Sequence, residues 1–328
     1  MKLTFDDIRS ILFGTVRIEE RDGRLWFYRF TEAQMAAYEK YSQDFYSKTK
    51  ATSGVRLEFY TDSRFMRIAG DIIRSSNRDF YGIDVCVDGA LLTHKGDYFS
   101  DDSIEYAFEM KLGGNNKKRV TVYFPWSVQA NIASLTLDDG SSFEPVKRKY
   151  KMLCFGDSIT QGYIAQNPSF TYASRLSDLL DADSVNKGIG GEIFFPTLAQ
   201  LRDDIEPDIV TVAYGTNDWS HTEKDKFDES CKLFYEALSK NYPSAKIFAL
   251  APTWRGNYTQ KDKPMGDFFY VSKRIREVVA SLPNVIFIDC FDFVPHEAEY
   301  FVEDLLHPND AGFNNYAAEL YAAIKKYL

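Results

Sequence analysis

The chain has 328 residues, with 48 Asp and Glu against 39 Lys and Arg, for a formal net charge of −9. Hydrophobic residues make up 45% and charged residues 27%, the profile of a globular protein and not of a disordered one. The acid surplus argues against nucleic acid as a partner, since neutralising phosphates needs a surplus of Lys and Arg, and no run of 18 apolar residues is present to span a bilayer. The length fits two domains, each large enough to bury its own core. Asp6, Asp7 and Arg9 interrupt the place where a secretory signal would carry its apolar run, so a cytoplasmic location is expected. Cys86, Cys154, Cys231 and Cys290 lie far apart with no CxxC pair, which fits reduced, buried thiols better than a disulfide framework or zinc site.

Up to about residue 145 the chain reads as β-rich. Val55–Phe59, Ile83–Val87 and Arg119–Phe124 cluster β-formers in short runs, and Asp22-Gly23, Asp88-Gly89, Gly113–Asn116 and Asp139-Gly140 supply turns. Many short strands with turns between them predict a β-sandwich or jelly roll over residues 1–146. One helix interrupts it near Thr31–Tyr46, with Thr31 as cap and Met35, Tyr38 and Phe45 roughly on one face. Pro145–Lys151 holds four basic residues and reads as a solvated linker rather than a binding patch.

Over residues 147–328 the rhythm becomes strand then helix, five times. The strands expected are Met152–Phe155, Ser184–Asn186, Asp208–Tyr214, Lys246–Ala251 and Val285–Cys290. Helical spacings follow in Tyr172/Leu176/Leu179/Leu180 and Phe227/Cys231/Phe234/Leu238. A last helix near Ala311–Tyr327 carries Phe313, Ala317, Leu320 and Ile324 inward. This alternation implies a parallel sheet with helices on both faces.

In such a sheet, ligands bind at the carboxyl ends of the strands. The loop after the first strand is Gly156-Asp157-Ser158-Ile159-Thr160, where a serine can present its hydroxyl while its own N–H faces a substrate oxygen. The G-x-S-x-G elbow of α/β-hydrolases is absent. After the second strand, Asn186–Gly191 is either a tight turn or a close backbone approach that offers N–H donors. After the third, Asn217 of Gly215-Thr216-Asn217-Asp218 can donate to a developing oxyanion. Near the C-terminus, Asp304 precedes His307 by three residues, close enough to orient the imidazole of a general base. His221, three residues after Asp218, is a weaker rival base because no ordering acid accompanies it. Trp254 and Trp219 follow the fourth and third strands and are candidates for stacking on a sugar ring, with ordinary packing as the alternative.

These four blocks, in this order, resemble the SGNH (GDSL-type) hydrolase superfamily over roughly residues 150–328. GDSIT is similar to its nucleophile block, NKGIGG to its glycine block, GTND to its asparagine block and DLLH to its Asp-x-x-His block. The resemblance implies a flavodoxin-like five-stranded sheet and a Ser158–His307–Asp304 triad. It also implies an oxyanion hole of the Ser158 and Gly191 N–H groups and the Asn217 side chain. Many members have a serine where Gly190 stands and an Asp where Glu192 stands. A β-sandwich followed by such a domain looks like the second carbohydrate-esterase family. That likeness implies a small ester or acetylated carbohydrate as substrate, with no metal or other cofactor. Lipase-like or thioester-cleaving members, and a decayed carbohydrate-binding protein, are the alternatives.

Overall fold

The computed structural model describes residues 1–76 and 78–328. Before residue 146, two antiparallel sheets pack face to face. In the first, Leu12–Phe13, Arg56–Thr61, Lys118–Tyr123, Phe80–Val87 and Ala90–Tyr98 lie side by side, with Glu144–Pro145 also on Arg56–Thr61. In the second, the order is Ser134–Leu137, Phe65–Ile73, Gln129–Ile132, Arg24–Tyr28 and Arg17–Arg21, with Ser103–Lys111 also on Phe65–Ile73. Leu57, Val85, Val120 and Val122 of one sheet meet Phe27, Ile68, Ile72 and Ile132 of the other in a single apolar core. Asp22-Gly23 and Asp88-Gly89 both close hairpins with positive φ at each residue, the turn geometry that matches strand twist.

The helix expected over Thr31–Tyr46 is two helices, Glu32–Tyr41 and Gln43–Thr49. Thr31 caps the first through the Gln34 N–H, in a reciprocal box with the Gln34 side chain. Ser42 is extended, at φ −161°, and its hydroxyl accepts from the Phe45 N–H. A serine that bonds forward in this way starts a new helix rather than continuing the old one.

The second half forms one parallel sheet, ordered Ala182–Asn186, Tyr150–Gly156, Ile209–Ala213, Lys246–Leu250 and Val285–Ile288. Successive residues of strand Tyr150–Gly156 point to opposite faces. Leu153 and Phe155 meet Phe227, Phe234 and Leu238 of helix Lys224–Asn241 and Ile275 of helix Phe269–Val279. Met152 and Cys154 meet Tyr172 and Leu176 of helix Tyr172–Leu179 and Phe313 and Leu320 of helix Asp310–Ile324. Leu179, expected inward, is 46% exposed, because Leu176 and Leu180 occupy the buried stripe one turn apart. All four cysteines are free and buried.

The two halves share their cores. Tyr28, Phe30, Met35 and Tyr38 belong to the cluster on one face of the parallel sheet, and Trp126 to the cluster on the other. The junction corrects the linker reading at one residue. Lys147, Lys149 and Lys151 are exposed, but the Arg148 side chain is only 2% exposed and pairs with Glu58 and Asp178. Its Nε donates to Glu58 Oε2 at 2.8 Å, while Arg119 Nη2 donates to Oε1 at 2.7 Å and Arg56 Nε lies 3.5 Å from Oε1. A run of basic residues cannot reveal a carboxylate that lies 90 residues earlier in the chain.

Burial alone would raise the Glu58 pKa, but Arg56, Arg148 and Arg119 outweigh it and bring it down to about 2, from an ordinary 4.5. A carboxylate whose folded pKa is depressed contributes stability fully above its unfolded value. That contribution therefore falls away as the pH drops from about 4.5 through about 2. Glu58→Ala is expected to lower the unfolding free energy by about 3–5 kcal/mol at neutral pH, because it leaves buried guanidinium groups without their partner. Urea denaturation reads the loss, and the variant should lack this component of the wild-type acid dependence.

Candidate active site

Ser158 opens the short helix Ser158–Gln161 at the carboxyl end of strand Tyr150–Gly156. Asp157 caps that helix, accepting the Ile159 N–H at 2.9 Å, so the chain reverses within two residues of the strand. As the first residue of the helix, Ser158 has an N–H with no intrahelical acceptor. Burial pushes the Asp157 carboxyl up to about 6, against the lowering pull of the Ile159 N–H, His307 and Arg255.

The Ser158 Oγ lies 2.8 Å from His307 Nε2, and His307 Nδ1 lies 2.5 Å from Asp304 Oδ2. The Asp304–His307 segment is a loop turn closed by the bridge between Phe301 and Pro308, with Leu305 at φ +51°. Asp304 Oδ1 takes the N–H groups of Leu306 and His307, at 2.8 and 2.9 Å. Burial would raise the Asp304 pKa, but these bonds and the imidazole hold it down at about 2. Ionised, Asp304 can only accept. The Nδ1 therefore carries the proton, and Nε2 is left to accept from the Ser158 hydroxyl.

The glycine loop lies against this helix. A Cβ on Gly188 would sit 2.3 Å from the Gln161 nitrogen and 2.7 Å from the Thr160 carbonyl carbon, so only glycine permits the approach. The Asn186 side chain fastens the loop to the Thr160 carbonyl at 2.6 Å and to the Gly188 N–H at 2.8 Å. The Gly190 N–H is taken by Gln161 Oε1 at 2.7 Å. Among the described residues no acceptor is found for the Gly191 N–H. Asn217 donates one amide hydrogen to the Glu192 carbonyl at 2.9 Å and keeps the other. Ser158, Gly191, Asn217 and His307 all line one pocket of about 240 Å³.

Several residues around the pocket come from the first half of the chain and carry no motif. Lys48, Ser76, Arg78 and Trp126 line it, together with Gln161 and Tyr163. Behind the glycine loop, Arg29 has no exposed surface. Its Nε donates to the Ala51 carbonyl at 2.6 Å, its Nη2 to Lys48 at 3.2 Å, and its Nη1 to the Asn186 and Gly188 carbonyls. Burial lowers its pKa to about 9, against the raising effect of Tyr38 and Glu192. Sequence reading missed Arg29 because its partners are carbonyl groups, which any residue type offers.

Three other sequence candidates lie elsewhere. Trp219 is fully buried, with Nε1 on the Gly266 carbonyl at 2.9 Å and its ring edge-on to Phe268, so no sugar can reach it. Trp254 stacks on His296 at 5.2 Å and packs against Phe301, and it does not line the pocket. His221 is exposed at the end of helix Thr216–His221, away from the pocket lining.

Residues 154–314 match the GDSL-like Lipase/Acylhydrolase family. No curated protein matches the chain by sequence. Among solved structures, the salicylyl-acyltransferase SsfX3 of a tetracycline biosynthetic pathway superposes with a TM-score of 0.81 at 21% identity, covering 97% of this chain and 95% of its own. A putative GDSL-like lipase from Bacteroides ovatus gives 0.76 at 18%, over 99% and 97%. A family two carbohydrate esterase from Clostridium thermocellum, in complex with cellohexaose, gives 0.71 at 17%, over 96% and 98%. At these identities the likeness is one of fold, and it extends over both halves.

Arg29→Met keeps the length of the stem and removes the hydrogen bonds to the four carbonyls. Buried acceptors left without a donor cost about 1–3 kcal/mol each before relaxation. The variant is expected to lose a few kcal/mol of stability and, because the glycine loop is freed, to lose turnover well beyond its loss of folded fraction. Denaturation curves and active-site titration on the same preparation separate the two.

Proposed function

We propose that the chain is a serine ester hydrolase that removes short acyl groups, acetyl above all, from carbohydrate; the match of residues 154–314 to the GDSL-like Lipase/Acylhydrolase family supports the hydrolase part of this reading. The observation that carries the assignment of roles is the unbroken hydrogen-bonded chain Ser158–His307–Asp304 at the mouth of the glycine loop.

In this reading Ser158 Oγ attacks the ester carbonyl while its proton passes to His307 Nε2. Asp304 holds the imidazole and stabilises its protonated form. The carbonyl oxygen becomes an oxyanion facing the N–H groups of Ser158 and Gly191 and the free amide hydrogen of Asn217. When the tetrahedral intermediate collapses, the bond to the alcohol oxygen breaks, and that oxygen takes the proton from His307. Water then gives its proton to His307 as it attacks the acyl-serine; the acid leaves, and the proton returns to Ser158. No metal enters any of these steps.

The small size of the pocket, about 240 Å³, supports a short acyl group. Phe194, three residues after Gly191, is turned away into the core against Tyr214 and Phe234. The wall nearest Gly191 is Phe45 of helix Gln43–Thr49, whose Cε1 lies 3.7 Å from where a Gly191 Cβ would stand. The sandwich half thus supplies the aromatic boundary on the oxyanion side. The carbohydrate part of the reading has its support in the esterase-like architecture along the whole chain.

A fluorophosphonate probe is expected to label the wild type at Ser158 and to leave Ser158→Ala unlabelled. Turnover in that variant should fall by several orders of magnitude with the fold intact. Retention of more than a few per cent of activity would remove Ser158 from the mechanism.

Acyl length gives the second test. One methylene too many in a filled pocket costs about 1–3 kcal/mol, so kcat/KM should drop steeply from nitrophenyl acetate through butyrate to octanoate. Phe45→Ala should flatten that series. A wild type that prefers octanoate would be lipase-like and would end the acetylesterase reading.

A further inference from the structure

The pocket has a charge opposite to that of the protein. In a chain of net charge −9, two cations, Lys48 and Arg78, line it. Among the described residues none of those lining it is an Asp or Glu. The two cations are not equivalent. Lys48 Nζ is 2.5 Å from Asp44 Oδ2 and 2.9 Å from the Gly190 carbonyl, so its charge is balanced and its place is on the oxyanion side. The Arg78 side chain forms no hydrogen bond or ion pair among the described residues, and its Nε is buried without a partner. Its guanidinium lies over the Tyr163 ring, 4.3 Å from the centroid. Tyr163 in turn packs on His307, with 4.5 Å between ring centroids.

That stack gives Arg78 a side. In the proposed reaction His307 hands its proton to the departing alcohol, so the alcohol sits beside the imidazole, away from the Gly191 and Asn217 donors that take the carbonyl oxygen. Tyr163 and then Arg78 continue from the imidazole in that direction. A guanidinium over a ring, with no hydrogen bond or ion pair among the described residues, has N–H groups free for a planar, two-oxygen acceptor. We propose that Arg78 selects esters whose alcohol portion carries a carboxylate, such as an acylated sugar acid or an acylated aromatic hydroxy acid. This inference rests on the esterase reading above and names the substrate class for that same pocket. Ser76, whose hydroxyl is turned to the Ser127 carbonyl at 3.0 Å, lines the pocket without competing for the anion.

The test uses matched pairs that differ only in charge. One pair is the acetyl esters of meta-hydroxybenzoate and meta-hydroxybenzamide; the other is mono-acetylated methyl glucuronoside and methyl glucoside. Wild-type kcat/KM is expected to favour the carboxylate of at least one pair by about tenfold or more, as for a charge-assisted hydrogen bond. The preference should shrink when salt is raised to about 1 M, where screening acts within ~3 Å. Arg78→Met should bring the ratio close to one, and Arg78→Lys should restore part of it. The pair that responds tells a sugar acid from an aromatic one.

Equal rates within both pairs in the wild type, or an Arg78→Met variant that slows both members by the same factor, would overturn the proposal. Both members are read on one preparation, so partial misfolding cancels from the ratio. If fluorophosphonate labelling and nitrophenyl acetate hydrolysis were both absent, the esterase reading would fail instead. Calorimetric binding of meta-hydroxybenzoate against meta-hydroxybenzamide would then still decide the anion claim.

Discussion

A guanidinium with no solvent contact and no carboxylate in ion-pair range among the described residues must be satisfied by dipoles, or it cannot stay charged where it is. Arg29 is in that position. The dipoles that satisfy it are carbonyl groups of Lys48 and Ala51 on one side and of Asn186 and Gly188 on the other. It therefore ties the end of helix Gln43–Thr49 to the glycine loop. That loop is in turn wedged against the nucleophile helix at Gly188, where no side chain fits. The position of the Gly191 N–H follows from that chain of constraints, and half of the chain lies in the sandwich portion. The parallel sheet by itself would present Ser158 correctly but would leave the loop opposite it unheld. The Glu58–Arg148 cluster acts alike at the other end of the junction, anchoring the segment that enters strand Tyr150–Gly156.

Burial shifts the carboxyl groups near the glycine loop away from their ordinary range. Three carboxyl groups stand behind the oxyanion loop, and burial drives each of them upward: Glu192 to about 8, Asp218 to about 7 and Asp157 to about 6. Tyr38 and Tyr214 donate to Glu192, and the Phe194 N–H donates to Asp218 at 3.2 Å. At neutral pH Glu192, at about 8, is mostly protonated, while Asp157, at about 6, keeps most of its charge. Asp304, by contrast, is held ionised beside the imidazole, where a negative charge suits a protonated ring. A Glu at position 192 is accommodated because two tyrosine hydroxyls reach its longer side chain.

The aromatic residues beside the pocket loops share an outcome. Trp219 and Trp254 are offered by the sequence as pocket residues because each follows a strand that reaches the pocket. Trp219 and Phe194 instead fill the core beneath helix Lys224–Asn241 and its neighbours, and Trp254 packs on His296 and Phe301. Proximity in sequence to a catalytic loop sets a side chain's starting point, not its direction. The aromatic groups that do flank His307 and the pocket, Tyr163 and Trp126, are unremarkable in the sequence. Tyr163 follows Ser158 by five residues, and Trp126 lies in the sandwich half, held by its Nε1 on the Ala165 carbonyl at 2.9 Å.

The sequence by itself determined what is local or periodic. Strand and helix alternation follows from side-chain spacing, so the five parallel strands and the last helix were legible, with their ends shifted by a residue or two. The four blocks around Ser158, Gly191, Asn217 and Asp304–His307 were legible because each is a few contiguous residues whose chemistry depends on backbone geometry next door. Tertiary structure decided everything that rests on residues far apart in the chain. It set the break at Ser42, which turns Phe45 and Lys48 to the site, the burial of Arg148 against Glu58, and the capture of the glycine loop by Arg29. It also left Arg78 over Tyr163 with no ion-pair partner among the described residues. These are electrostatic and packing outcomes in which one partner is a distant side chain or a bare carbonyl. Such a partner leaves no mark in the order of residues, because the energy that selects it exists only once both segments are buried together.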